Sequence, residues 1–384
     1  MTKKRDWGFS TRALHVGQGP DPATGAVVQP IHLASTFAQE SVGKHKGYEY
    51  SRSGNPTRSA LEECLCALEN SAHCLAFASG LAAETTFMLT LNPGDHIVYM
   101  EDVYGGTFRL FDKVLKRYGL TFTSIDATDL DKVETAMTAK TKLMWLESPT
   151  NPLLRVVDID AVSEIAHSKG ATVCVDNTFA TPYLQQPLHL GADVVVHSST
   201  KYIGGHSDVV GGALMTSNEE LAEQLRFHQN ALGAVPSPFD CWLLLRGIKT
   251  LAVRVERQCE NAMAVATALQ GNRSVVRVHY PGLADHQGHS IASRQMRLYG
   301  GMVSFEVKDE ATAVRTLERL RIFALAESLG AVESLAEHPA RMTHASMPPE
   351  VREQAGVKDG LIRLSIGIED AADLIADLES ALAG

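Results

Sequence analysis

Lys201 closes the run Ser198-Ser199-Thr200-Lys201, directly after the apolar stretch Val194-Val195-Val196. A lysine held where a buried strand ends can form a Schiff base when desolvation or nearby positive charge lowers its pKa. Hydroxyls beside it can bind a phosphate. Taken alone, Lys201 also reads as a solvated strand-end residue, since short motifs have many chance matches. Its company argues for chemistry. Val173-Cys174-Val175-Asp176-Asn177-Thr178 sets a carboxylate at the end of another apolar run. A buried carboxylate needs a cationic partner, which a pyridinium nitrogen would supply. Ser79-Gly80-Leu81 is a glycine turn into a helix, whose first N–H groups and dipole suit a phosphate. Asp102-Val103-Tyr104-Gly105-Gly106 puts an aromatic ring beside two glycines, placed to stack on a flat heterocycle. A fifth apolar run ends in Glu147-Ser148-Pro149-Thr150-Asn151-Pro152.

A lysine for an aldehyde, a carboxylate for a ring nitrogen, a helix turn and hydroxyls for a phosphate, and an aromatic ring for a π face together meet the needs of pyridoxal 5'-phosphate (PLP). A nicotinamide dehydrogenase would instead require G-x-G-x-x-G after its first strand, and Ser79-Gly80-Leu81-Ala82-Ala83 has a single glycine. A protein that binds the cofactor without turnover is a further alternative, against which the intact Lys201 argues.

Elements that would hold these residues are readable from periodicity. Apolar runs of strand length fall at 74–78, 96–100, 121–125, 142–146, 171–175, 193–197 and 209–215. Helical stretches at 56–70, 107–118 and 159–169 alternate with them, the mark of a mostly parallel sheet covered on both faces. In open α/β sheets ligands bind at the strands' C-terminal edge, where the residues above fall. A long helical pattern at 238–269 is followed by strand patterns at 275–280, 302–307, 322–326 and 361–368. The expected division is an N-terminal arm over 1–55, rich in Gly, Pro, Ser and Thr, a large cofactor-binding domain over 56–237, and a smaller C-terminal α/β domain over 238–384 that includes the connecting helix.

The 384-residue chain carries a formal charge of −10, so nucleic acid is an unexpected partner. No run approaches the ~20 apolar residues of a membrane span. The basic start Lys3-Lys4-Arg5 is followed by no apolar signal segment, and a cytoplasmic location is expected. Six cysteines, at 64, 66, 74, 174, 241 and 259, lack zinc-type spacing, so no metal is expected.

From about Thr11 to its C-terminus the chain resembles the fold-type I PLP enzymes of the transsulfuration (Cys/Met metabolism) family. The resemblance rests on Tyr50-Ser51-Arg52-Ser53-Gly54-Asn55-Pro56-Thr57, Val175-Asp176-Asn177-Thr178, Ser198 through Asp208, and Ala326-Glu327-Ser328-Leu329. It implies that Lys201 is the Schiff-base lysine, that Asp176 with Thr178 beside it serves the pyridine nitrogen, and that Tyr104 stacks on the ring. Gly80, Leu81, Ser198 and Thr200 match the phosphate cradle. Tyr50 and Arg52 match residues reaching the phosphate of a neighbouring subunit, which implies a homodimer with shared active sites, usually a tetramer. Arg363 matches the arginine gripping the α-carboxylate of an amino-acid substrate, and Ser328 and Asn151 match substrate contacts. A lone charge inside the apolar run Leu361-Ile362-Arg363-Leu364 favours that clamp over a surface ion pair.

Within the family the resemblance is closest to cystathionine γ-lyases. Glu327 is an acidic residue shared by γ-lyases and γ-synthases, able to hold the distal ammonium of cystathionine. Methionine γ-lyases have an apolar residue there, and Gly105 stands in the place of their reactive cysteine. Arg109 is placed to bind the distal carboxylate. The segment 225–240 looks closer to the lyases than to the γ-synthases, which replace the activating group of an acylated homoserine with cysteine. A γ-lyase would release cysteine, 2-oxobutyrate and ammonia, with Lys201 moving the protons and Tyr104 or Lys201 protonating the leaving sulfur. Synthase and bifunctional enzymes are the alternatives.

Overall fold

The structure, a computed structural model, describes residues 6–345 and 349–383. Lys3-Lys4-Arg5 lies outside them. The fold is α/β, with a large, mostly parallel sheet and a second, smaller sheet, as the sequence implies. In chain order the strands are β1 (His73–Phe77), β2 (His96–Met100), β3 (Thr121–Ile125), β4 (Thr141–Glu147), β5 (Thr172–Asp176), β6 (Val194–His197), β7 (Gly212–Thr216), β8 (Val275–His279), β9 (Met302–Val307), β10 (Ala324–Leu325), β11 (Leu335–Glu337) and β12 (Leu361–Ser365).

The chain divides into two compact units, one formed by the described residues of 1–92 and 193–252, the other by those of 93–192 and 253–384. In the first, β7 runs antiparallel between β1 and β6, pairing Phe77 with Gly212 and His197 with Ala213. Every residue of β6 and β7 is buried. Asn55 caps the helix Pro56–Leu68 by accepting from the N–H groups of Thr57 and Arg58, and Pro56 takes the first position, where a missing N–H costs nothing.

In the second unit β5, β4, β2 and β3 are adjacent and parallel. All five residues of β2 are buried, the near-continuous apolar reading of a strand covered on both faces. The smaller sheet has the order β10-β11-β12-β9-β8, antiparallel except between β10 and β11. Phe305, Ile362 and Leu364 from its strands pack in one core with Leu374 and Leu378 of the helix Ala371–Leu382. Each such side chain contributes about 1.5–3 kcal/mol by leaving water.

The structure departs from the periodicity in four places. The expected arm contains a helix, Phe9–His15, that buries Arg12 and Ala13. The segment 107–118 is wound unevenly, as an α-helix Gly105–Arg109, a π-turn Leu110–Val114 and a 3-10 turn Leu115–Tyr118. A wider turn keeps residues four and five apart on one face, which buries Leu110, Phe111 and Leu115 together. The long helix is two, Pro238–Ile248 and Leu251–Gln270, because the N–H and hydroxyl of Thr250 both turn back to the carbonyl of Gly247 at 3.2 Å. The strand expected at 322–326 is only the two-residue β10, while the three-residue β11 is too short to show a period.

Candidate active site

In the first unit β6 ends at His197 and delivers Ser198–Lys201 into a tight turn. The Lys201 N–H donates to the carbonyl of Ser198 at 3.2 Å, and its own carbonyl accepts from Gly205 at 2.8 Å. Lys201 is half-buried. The Thr200 hydroxyl is tied to Gly211, donating to its carbonyl at 3.1 Å and accepting from its N–H at 3.0 Å. Ser79 caps the helix Gly80–Met88 through the N–H of Ala82 at 3.0 Å. That leaves the N–H groups of Gly80 and Leu81, the first orphan donors of the helix, without a protein acceptor among the described residues. A Cβ on Gly80 would lie 3.0 Å from the Ser198 Cβ, so glycine lets this turn close on the Ser198 strand end without crowding it. The structure thus brings Gly80, Leu81 and Ser198 together.

Tyr50 and Arg52 lie in the same unit, both exposed. The Arg52 guanidinium stands 5.4 Å from the Tyr50 ring centroid and donates to the Asn230 carbonyl at 2.5 Å and its Oδ1 at 2.8 Å. Buried Arg58 fixes their backbone by donating to the carbonyls of Ser51 and Arg52.

In the second unit Asp176 ends β5 beside Glu147, which ends β4 in register with it. Asp176 Oδ1 accepts the N–H of Thr178 at 2.9 Å. Glu147 Oε2 accepts the N–H of Tyr104 at 2.9 Å, so the end of β4 positions the half-exposed Tyr104 at the start of its helix. Asp102 is buried against Thr150, whose hydroxyl donates to its Oδ2 at 2.5 Å. Burial pushes the Asp102 carboxyl up to about 6.

Arg363 lies at the centre of β12 and is 2% exposed. Its Nη1 donates to Asn151 Oδ1 at 2.8 Å and pairs with Glu337 Oε1 at 3.0 Å, while Nη2 donates to the Ser328 carbonyl at 2.9 Å. Its Nε–H is buried with no partner among the described residues. Ser328 holds its carbonyl there with φ +100, a left-handed conformation that costs a non-glycine residue roughly 1–3 kcal/mol and marks sites fixed by their surroundings. The structure thus brings Arg363, Asn151 and Ser328 together. Glu327 is exposed next to them in sequence, and Arg109 is exposed at the end of the helix Gly105–Arg109.

Sequence reasoning missed Glu337. The one available signal was a lone carboxylate after Leu335-Ala336, the mirror image of Arg363 in its own apolar run. All six cysteines are free, and burial pushes the thiols of Cys64, Cys241 and Cys259 up to about 12, so those three are inert packing groups. Among the described residues no group of three or more His, Cys, Asp or Glu is placed to hold a metal.

The residues present fit pyridoxal phosphate. In the first unit Gly80 and Leu81 offer orphan helix-terminal donors beside the Ser198 hydroxyl that could take its phosphate, and Lys201 an amine that could take its aldehyde; in the second, Asp176 offers a carboxylate of the kind its ring nitrogen needs. The sequence profile of the family described as "Cys/Met metabolism PLP-dependent enzyme" matches residues 10–383. The chain is 57% identical over 377 residues to a cystathionine beta-lyase of Coxiella burnetii, covering 97% of each chain. It is 56% identical over 378 residues to a cystathionine gamma-synthase of Mycobacterium bovis, covering 98% of this chain and 97% of that one. The crystal structure of cystathionine gamma-lyase from Lactobacillus plantarum complexed with L-serine superposes with a TM-score of 0.95 at 48% identity, covering 98% of this chain and 99% of that one. Three activities are represented among chains this similar, and pyridoxal 5'-phosphate is the cofactor common to the family. The chain belongs to the Cys/Met metabolism PLP-dependent enzyme family.

Proposed function

We propose that the protein is a cystathionine γ-lyase, which with one water splits L-cystathionine into cysteine, 2-oxobutyrate and ammonia. The observation that carries the reading is the buried Arg363, whose Nε–H is unpartnered among the described residues and whose Nη2 is bonded to the carbonyl of Ser328, which directly follows the exposed Glu327. One cation would grip an α-carboxylate and one carboxylate would receive a distal ammonium; cystathionine and methionine both offer the first charge, and of the two only cystathionine offers the second. Arg109 is assigned to the distal carboxylate, and Asn151 and Ser328 to the support of the α-carboxylate.

When bound, the cofactor supplies an aldehyde that bonds an amine and a ring that draws electron density from the α-carbon. Lys201 would hold that aldehyde. Its Nζ, once the substrate's amine takes its place, would be the base that takes the α-proton and, having handed that proton on, the base that takes a β-proton. Asp176, steadied by Thr178, would hold the ring nitrogen protonated, and Tyr104 would cover the ring face. Gly80, Leu81, Ser198 and Thr200 are assigned to the phosphate, joined by Tyr50 and Arg52 of a neighbouring subunit. Tyr104 or Lys201 protonates the departing sulfur. Six free cysteines accord with a reducing, cytoplasmic compartment.

A paired steady-state assay of the purified holoenzyme tests the reading, because specificity is a ratio of kcat/KM values. 2-Oxobutyrate release from cystathionine is expected to exceed cystathionine formation from cysteine plus O-succinyl- or O-acetylhomoserine. Dominant formation would make the protein a γ-synthase instead, and dominant pyruvate release from cystathionine would make it a β-lyase.

A further inference from the structure

Arg363 and Glu337 are register partners across the antiparallel pair β11 and β12, and Glu337 is 1% exposed. Glu337 Oε1 also accepts the Thr343 hydroxyl at 2.8 Å, and Thr343 Oγ1 lies 2.9 Å from His344 Nδ1. The threonine has one hydroxyl proton and gives it to the carboxylate. The contact to His344 is therefore an Nδ1–H donated to Oγ1, which fixes the neutral tautomer of a buried imidazole. Burial and the charge of Arg363 push His344 down to about 4, in keeping with a neutral ring. The hydrogen bonds then run in one direction, from His344 through Thr343 into Glu337, where Arg363 meets them from the other side.

The result is a guanidinium with only one edge left. Nη1 is committed to Asn151 and Glu337, and one Nη2 hydrogen to the Ser328 carbonyl. What remains is the Nε–H, which has no partner among the described residues, and one Nη2 hydrogen; the Nε/Nη2 side is the edge that a carboxylate takes in a two-pronged grip. A carboxylate beside Arg363 opposes an incoming anion, so charge alone gives no reason to keep Glu337 in a substrate-carboxylate site. Orientation does.

We propose that Glu337, held by Thr343 and His344, is a positioning residue that aims the Nε/Nη2 edge of Arg363 at the substrate's α-carboxylate. The inference rests on the reading of Arg363 as the clamp and adds three residues to it.

L-Serine and ethanolamine share an amine and a hydroxyl and differ by the carboxylate alone. Their dissociation constants on the holoenzyme, read from the absorbance of the bound cofactor, give a preference ratio that isolates the grip. Glu337→Ala and Thr343→Val are expected to lower that ratio about tenfold and about threefold, leaving ethanolamine binding within about twofold. Glu337→Gln keeps an acceptor at Oε1 and is expected to retain the ratio to within about threefold. Thr343→Val removes one hydroxyl and no charge, and carries the test should Glu337→Ala not fold. An unchanged ratio in the folded variants overturns the proposal and leaves the clamp standing. A ratio that rises in Glu337→Ala overturns it too, since Glu337 would then only weaken the charge of Arg363. A wild-type enzyme that binds serine and ethanolamine alike overturns the clamp itself.

Discussion

Lys201 contributes its main chain to the turn after β6 and its side chain to the chemistry, and the two can be separated. Its N–H and carbonyl bond to Ser198 and Gly205 whatever the side chain. Lys201→Ala is therefore expected to keep the wild-type melting temperature to within a few degrees while turnover falls by at least ~10³. Circular dichroism and the 2-oxobutyrate assay check the two halves, and near-wild-type turnover would sink the assignment. In the sequence Lys201 stands past three hydroxyl residues after its run and stood out only through its company and the resemblance. Asp176 and Arg363 stood out for one physical reason, which is that a charge ending or interrupting an apolar run has to be compensated. Glu337 obeys the same rule after only two apolar residues, too few to be noticed. Thr343 and His344 fall in an irregular segment with no period to read, and only the folded chain brings them to Glu337.

Among elements, β2 was legible because burial on both faces leaves an unbroken apolar run, and the largely open β3, rich in β-branched and aromatic residues, also has the bounds its sequence predicts. What periodicity could not show was where a run of helix-forming residues breaks, as at Thr250, or where two or three residues suffice for a strand, as in β10 and β11. Strand β9 carries a buried charge with a predictable consequence. Glu306 receives His279 Nε2 at 2.9 Å on one oxygen and Lys358 Nζ at 2.7 Å on the other. The hydrogen bond from His279 first, and that from Lys358 after it, hold the carboxyl down to about 2 against an ordinary 4.5. A carboxyl depressed by folding stabilises the native state fully above its unfolded value, and that stabilisation is lost as pH falls through the folded one. Glu306→Gln should therefore cost about 2 kcal/mol at pH 7 and about half as much at pH 3, read from urea midpoints. An equal cost at both values would show that the charge contributes nothing.

At the scale of the molecule, the N-terminal segment exposes Val27 at 76%, Leu33 at 71% and Val42 at 103%. Apolar side chains exposed along one segment suit a surface that another chain covers. Together with the assignment of Tyr50 and Arg52 to a neighbouring site, this supports the proposal of a homo-oligomer, a dimer with shared sites or a tetramer built from two. Light scattering should give at least twice the 41.5 kDa chain mass. A fully active species at the mass of one chain would refute both the oligomer and the roles of Tyr50 and Arg52. No described helix is long and apolar enough to cross a membrane.

Gly105 adds a constraint on sequence change. A Cβ at this position would lie 2.5 Å from the main-chain carbonyl of Thr343, a distance no real side chain tolerates. Position 105 is thus closed in this chain by backbone, not by a side chain that could swing away. A larger residue here needs the segment around Thr343 to shift with it, so a change at 105 and a change near 343 are coupled through the packing.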